Sequence, residues 1–354
     1  MFSFWSGSVP ASRRAVRTLS TRGFHGTMPL PSQLMTPGPQ SRSIHPRLQR
    51  IGRVALFCLA LLGLLLLIAQ RMPPRGVVVG ENPFRSGPQR RPLIIAHAGG
   101  KGNQPENTLP AFAASAALGC DMLETDLRLT KDDVLVTHHD PGVERNSNGQ
   151  GLVRDLTLAQ LKVLNFGAHF KDPSGRAPYV GTNTAQIATL DEILSRYEGF
   201  LLTLELKDKG ETGLRAARSL AARLAVFRNA RRVLVASFDD ATLDAFRRES
   251  GGRIATSTAR KQTTSFVLSH KSFLGRAWPG GADALQLPVE PAEASGFRLA
   301  TARLIRDAHD RNVAVHYWTV NDPESMRALI RIGADGIITD YPDRLRTLLK
   351  ELGW

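Results

Sequence analysis

A closed (β/α)8 barrel of the TIM type, with a small insertion after its second strand, is the fold class this sequence predicts, and three observations predict it. Eight short apolar runs alternate with amphipathic stretches from Leu93 to the C-terminus. The stretch is 262 residues long, the size at which such a barrel closes. The turn after the first run, HAGGKGNQPENT, lacks the GxGxxG spacing with which an open dinucleotide-binding sheet announces itself.

The elements follow in chain order. Residues 1–50 form a basic leader, predicted to be disordered; its first 35 residues are rich in Arg and Ser and free of acids, a pattern also seen in mitochondrial targeting segments. Val54–Ala69 is an apolar run without a charge, bounded by Arg53 and Arg71. Extended to 51–70, it predicts one transmembrane helix and a single-pass membrane protein that partners the lipid bilayer through these residues. The side is left open, because Arg42, Arg47, Arg50 and Arg53 before the run balance Arg71, Arg75, Arg85 and Arg90 after it. Residues 71–92 read as an extended Pro/Gly/Arg linker, and the barrel domain as 93–354. Within it the predicted strands are Leu93–Ala96, Met122–Leu127, Phe200–Leu206, Val233–Ser237, Arg253–Thr256, Ala284–Leu287, Val313–Trp318 and Gly336–Thr339. Helical periodicity fills Thr108–Leu118, Leu190–Tyr197, Thr212–Phe227, Asp240–Glu249, Ala300–Asp310 and Pro323–Ile332. Val134–Thr189 breaks the alternation and reads as the insertion; Ala259–Gly281 reads as a long loop after the fifth strand.

Charge narrows the function. The chain has 46 basic and 32 acidic residues, but residues 1–80 hold ten arginines, no lysine and no acid. The remainder carries 36 basic and 32 acidic side chains, so the folded body is nearly neutral and no nucleic-acid-binding surface is expected. Two cysteines, Cys58 and Cys120, build neither a disulfide framework nor a thiolate zinc site, and both read as small buried hydrophobes.

The chemistry concentrates at strand ends. Glu124 and Asp126 stand two apart in DMLETDL, so the pleat puts both carboxylates on one face. Glu205 and Lys207 repeat the spacing in TLELKD. Pressed together, such acids call for a cation, and their oxygens suit Mg2+ or Ca2+; Lys207 is placed to meet an anionic group of a substrate. Either pair alone also fits ordinary acids at strand ends. Histidines alter that balance: His97 closes the first strand in LIIAHAGG, and His139 lies in VLVTHHDP, a short strand after the TKDD turn. Two imidazoles beside three acids suggest a general acid and a general base. His138 and His139 alternate in direction, so one of them faces the site. Trp318 lies nearer the end of its strand than His316 and is better placed for the mouth.

The segments HAGG…PENTLPAF, LETDLRLTKDDVLVTHHD and YWTVNDPESMRALIRIGADGIITDYPDRL, in that order from about Leu93 to Leu348, resemble those of glycerophosphodiester phosphodiesterases. The resemblance implies a TIM barrel, metal-dependent hydrolysis of small-molecule glycerophosphodiesters to an alcohol and glycerol 3-phosphate, and one divalent cation held by Glu124, Asp126 and Glu205. The expected membrane helix adds two alternatives, a lysolipid phosphodiester substrate cleaved in the manner of a lysophospholipase D, or a catalytically weak membrane-tethered binder of phosphodiesters. The resemblance also implies His97 and His139 as acid and base, Lys207 and Trp318 as substrate contacts, and Glu106 and Asn107 of the PENT motif as residues of the first loop, with Glu106 organising the site. One motif departs: the family's usual His-Arg-Gly is His97–Ala98–Gly99 here, and a methyl cannot imitate a bidentate guanidinium. Lys101 is close enough in sequence to offer a point charge instead.

Overall fold

The computed structural model describes residues 46–71, 80–86, 91–275, 278–289 and 296–354. The expected leader to residue 45, with its targeting pattern, and linker residues 72–79 and 87–90 lie outside the described residues.

Helix α1 spans Pro46–Arg71. The expected single-pass membrane localisation, and with it the bilayer as a partner, is contradicted: among the described residues no helix is long and apolar enough to cross a membrane. The stretch of α1 free of charge runs only from 54 to 70. At 1.5 Å per residue it covers about 25 Å, less than the roughly 30 Å hydrocarbon core of a bilayer. Cys58, expected to be buried, is exposed on this helix, whereas Cys120 is buried.

The strands are β1 (Leu93–Ala96), β2 (Met122–Leu129), β3 (Leu135–Thr137), β4 (Leu201–Leu206), β5 (Val233–Ala236), β6 (Ala255–Thr256), β7 (Ala284–Pro288), β8 (Ala314–Trp318) and β9 (Gly336–Thr339). Eight run parallel in the order β6-β5-β4-β2-β1-β9-β8-β7, and β3 pairs antiparallel with β2. The two ends of that order meet. Ser257 bridges Ala284 in parallel, Thr258 N–H donates to Ala284 O at 3.0 Å, and Asp283 N–H donates to Thr256 O at 2.8 Å. The sheet is therefore a barrel, and its eight parallel strands coincide with the eight predicted runs.

Helices α2 (Leu109–Leu118), α5 (Gly210–Ala225), α6 (Asp240–Glu249), α7 (Arg260–Lys271), α8 (Ala302–His309), α9 (Pro323–Ile332) and α10 (Pro342–Glu351) follow strands, while α3 (Leu158–Lys162) and α4 (Leu190–Arg196) belong to the connection between β3 and β4. Their starts are written in the sequence: Thr189 and Glu192 form a capping box at α4, and Asp239, Thr301 and Asp322 cap α6, α8 and α9. The expected loop 259–281 is wrong in part, because it contains the 12-residue helix α7. Its sequence RKQTTSFVLSHK sets Thr and Ser among few apolar residues, so the buried stripe of Phe266, Val267 and His270 is short. The insertion after β2 has its own small core of Val136, Val143, Val153, Leu161, Phe166 and Ile187.

Side chains facing out of the barrel, such as Leu123, Leu204, Val235 and Leu285, are buried under the helices; each contributes about 1.5–3 kcal/mol relative to an exposed position. Inside, the floor is closed by Phe84 with Ile95, Met122, Leu234, Ala314 and Ile338. Residues 80–86, expected within an extended linker, thus belong to the barrel. Asn82 Nδ2 donates to Asp283 O at 2.8 Å and Asn312 O at 2.7 Å, and this fixes the segment beneath Phe84. With the floor filled by apolar side chains, polar chemistry is confined to the opposite end.

Candidate active site and metal centre

At the C-terminal end of the strands, β2 and β4 pair in a register that sets Asp126 beside Glu205, with Glu124 beside Thr203. Period-two alternation then brings Glu124, Asp126 and Glu205 to the same inner face. One carboxylate oxygen from each lies within 4.8 Å of the others, and among the described residues this is the group able to hold a metal ion. Glu124 and Asp126 are buried. Lys207, two residues after Glu205, places Nζ 2.9 Å from Glu205 Oε1 and 3.3 Å from Asp126 Oδ1.

Two left-handed residues hold the acids in place. Ala98 (φ 47°) donates its N–H to Glu124 Oε2 at 2.6 Å. Asn107 (φ 58°) donates from Nδ2 to Asp126 Oδ2 at 2.9 Å, and its Oδ1 accepts from Thr125 Oγ1 at 2.7 Å. A left-handed backbone costs a non-glycine residue about 1 kcal/mol, here offset by charge-assisted bonds. The turn following Ala98 needs glycine outright: at Gly99 (φ 79°) a Cβ would come within 2.9 Å of Ala111 Cβ.

The acids are electrostatically unequal. Burial, and after it the negative charge of Asp126, pushes the Glu124 carboxyl up to about 8. Burial also raises Glu205, against the pull of Lys207. Burial would raise Asp126 too, but the Lys207 ammonium and the Asn107 amide hold it below the ordinary range. Lys207 itself is raised, since Glu205 and Asp126 outweigh its own desolvation. The three converging carboxylates form an oxygen donor set that fits a hard divalent cation.

Both histidines line the same cleft as Glu124, Glu205, Lys207 and Trp318. His97 Nδ1 lies 2.7 Å from Asp340 Oδ1; Asp340 in turn accepts from Asn321 Nδ2 at 2.8 Å and lies 3.7 Å from Lys101 Nζ. Burial opposes the imidazolium of His97, yet the bond to Asp340 and the charge of Glu124 raise its pKa above the usual value. His139 Nδ1 lies 2.7 Å from Asp140 Oδ1, and Asp140 pairs with Arg145. In each case the second ring nitrogen is left to face the cleft. His138 turns the other way: it is buried, with Nε2 2.9 Å from Gly142 O and its ring edge-on to Phe166. His316 is on the barrel floor, with Nε2 2.9 Å from Phe84 O.

The structure therefore brings together His97, His139, Glu124, Asp126, Glu205, Lys207 and Trp318. Glu106 and Asn107 are not lining residues of that cleft. Glu106 is held by Arg145 (Nη2 to Oε1, 2.6 Å) and by Asn146 (2.7 Å), and so stands behind Asp140 and His139; Asn107 stands behind Asp126. Lys101 is committed to Asp340. Asp340, Asn321, Asp140 and Arg145 were not singled out by sequence, although Asp340 directly follows β9, the neighbour of β1, and Asp140 adjoins His139.

The model of the Glycerophosphoryl diester phosphodiesterase family matches residues 97–344. A glycerophosphodiester phosphodiesterase of Caldanaerobacter subterraneus is 29% identical over 74% of this chain and 99% of its own length. The human lysophospholipase D GDPD3 is 27% identical over 75% of this chain and 87% of its own. Among solved structures, an Oleispira antarctica phosphodiesterase in complex with the product sn-glycerol-3-phosphate is 24% identical and covers 73% of this chain and 97% of its own, with a TM-score of 0.58; it shows the fold.

Proposed function

Because this chain belongs to the glycerophosphoryl diester phosphodiesterase family and is, like its relatives, a phosphoric diester hydrolase, we propose that it hydrolyses glycerophosphodiesters to an alcohol and glycerol 3-phosphate. Residues 93–354, with the segment 80–86, form the proposed catalytic domain. The observation that carries the reading is the convergence of three carboxylates, two of which line the same cleft as the two carboxylate-buttressed histidines. The product named for the Oleispira antarctica neighbour supports the choice of released phosphate.

Glu124, Asp126 and Glu205 would hold one divalent cation, Mg2+ or Ca2+. Bound there, it supplies charge stabilisation at a non-bridging phosphate oxygen. Lys207 keeps Asp126 ionised and offers the phosphate a second positive charge. His97, its pKa raised beside Asp340, suits the acid of a first step, and His139 the base. The glycerol 2-hydroxyl passes its proton to His139 as its oxygen attacks phosphorus. The P–O bond to the departing alcohol breaks, and that oxygen takes a proton from His97. Water then opens the cyclic phosphate with the histidines exchanged: His97 receives the proton of water and His139 returns one to the 2-oxygen. Trp318, edge-on to Phe238 with centroids 5.9 Å apart, packs the carbon skeleton of the glyceryl arm.

One observation favours a second reading, a lysophospholipid substrate. The cleft, about 680 Å3, continues along an apolar wall of Phe238, Val267, Leu268, Phe297, Leu299 and Trp318, which suits an acyl chain on the glyceryl arm. The test for both is release of glycerol 3-phosphate from glycerophosphoethanolamine, and of lysophosphatidic acid from lysophosphatidylethanolamine. Each is run after chelation and again with Mg2+ or Ca2+ restored. Turnover indifferent to chelator overturns the cation; turnover of neither diester overturns the reading.

A further inference from the structure

The cleft forks. Beside the apolar branch lies a second hollow of about 610 Å3. The two share Glu205, Lys207, Ser237, Phe238 and Arg260, so the fork falls next to the acid trio, where a phosphodiester would sit. A diester has two ester arms. If the glyceryl arm takes the apolar wall, the second hollow is the space left for the alcohol arm.

That hollow is unbalanced in charge. Its carboxylates are all engaged: Glu205 by Lys207 at 2.9 Å, Asp208 by Arg128 Nη1 at 2.6 Å and Leu129 N–H at 2.8 Å, and Asp239 by Thr242 N–H at 3.0 Å and Thr242 Oγ1 at 2.8 Å. Two of its cations, Arg128 and Lys207, are consumed in those pairs. Lys209 and Arg260, both exposed, form no ion pair among the described residues, and Arg154 has only Asp155 at 3.9 Å. Lys209 and Arg260 thus have no carboxylate committed to them, and with Arg128, Arg154 and Lys207 they set five cations against the three acids Glu205, Asp208 and Asp239 around this hollow. Opposite charges within about 4–6 Å attract, and a cationic headgroup there would be repelled.

We infer that this hollow is a subsite for an alcohol arm carrying its own negative charge, so that the enzyme prefers acidic glycerophosphodiesters to those of choline or ethanolamine. The inference rests on the proposed hydrolysis and adds its headgroup class. Lys209 and Arg260 are the specificity-determining residues, and a carboxylate or second phosphate is the group they recognise.

Glycerophosphoserine and glycerophosphoethanolamine differ by one carboxylate and isolate its effect. With the full-length protein and its cation, kcat/KM for the serine diester is expected to exceed that for the ethanolamine diester by about tenfold or more. The ratio is expected to shrink as salt rises from 50 to 500 mM, a range over which screening of exposed charges tightens. Lys209→Gln with Arg260→Gln should bring it close to one, and Arg260→Glu should invert it. A wild-type ratio at or below one, or a preference that survives both variants, overturns the subsite. Absence of turnover on both diesters would instead strike the proposed hydrolysis, so the two failures are distinct.

Discussion

The two ends of the barrel bury acids in opposite ways. At the floor, Asp335 is fully buried and surrounded by donors: Val315 N–H at 2.8 Å, Ser86 N–H at 3.0 Å and Ser86 Oγ at 3.2 Å, with His309 Nε2 2.7 Å away. At the mouth, Glu124, Asp126 and Glu205 face one another, with Lys207 as the nearest cation. A buried acid saturated with donors ties the chain together. Acids turned upon each other cost stability and repay it only when something positive arrives. Asp335 immediately precedes β9, whereas the three acids of the mouth stand on β2 and β4, so the difference lies in what each strand end is given as a neighbour.

The largest effect expected is on turnover. Glu205→Gln or Glu124→Gln should lower kcat/KM by about 10^3-fold or more, since each removes a charge from the proposed cation site. Stability should move the other way. The folded-state pKa of Glu124, about 8, lies above the unfolded carboxyl value. The protonated acid therefore contributes stability that is present below about pH 4.5 and lost as pH rises through about 8. Glu124→Gln should stabilise the chelated protein at pH 8 by on the order of 2 kcal/mol, measured by urea unfolding. Destabilisation there would erase the contrast with the floor.

Next comes the histidine pair. His139→Ala should cost about 10^2–10^4-fold in kcat while sparing the response of melting temperature to added cation. His138→Ala should leave kcat intact and cost about 1–2 kcal/mol, because it releases Gly142 O and opens the contact with Phe166. Equal losses of kcat would mean that the two rings do not differ as their directions imply.

Asp335→Ala should cost about 3 kcal/mol of stability, leaving several buried donors unanswered, with kcat of the folded fraction unchanged. A smaller shift is expected from Asp340→Asn. The Asp340 carboxylate raises His97, so its removal should lower the imidazole pKa and move the alkaline limb of the pH–rate profile to lower pH. Stability follows the same sign: the raised His97 contributes stability below about pH 6.5 that is lost as pH climbs through its folded value. The variant should lose that contribution. NMR titration of His97 would detect it.

Much of this was legible in the sequence because strands advertise themselves by period. DMLETDL and TLELKD place acids at alternate positions, and register alone then brings Asp126 beside Glu205. What escaped depended on contacts between distant segments. Asp340 reads as one more acid until β9 lies beside β1 and carries it to His97. Phe84 looks like a linker residue until the barrel floor forms around it. Glu106 and Asn107 were placed in the right loop, but a loop sequence carries no period from which to read direction, and both stand behind the cleft. Helix α7 was missed because its apolar stripe is short. Length misled at the N-terminus, where a dense apolar run outweighed its limited span.

The most direct test is to titrate chelated wild-type protein and Glu205→Gln with Mg2+ and with Ca2+, following melting temperature and glycerol 3-phosphate release in the same samples. One ion is expected to raise the wild-type melting temperature and restore turnover together, and to do neither in the variant. Full turnover by the chelated wild type, or equal ion-induced stabilisation of the variant, would contradict the proposed cation site.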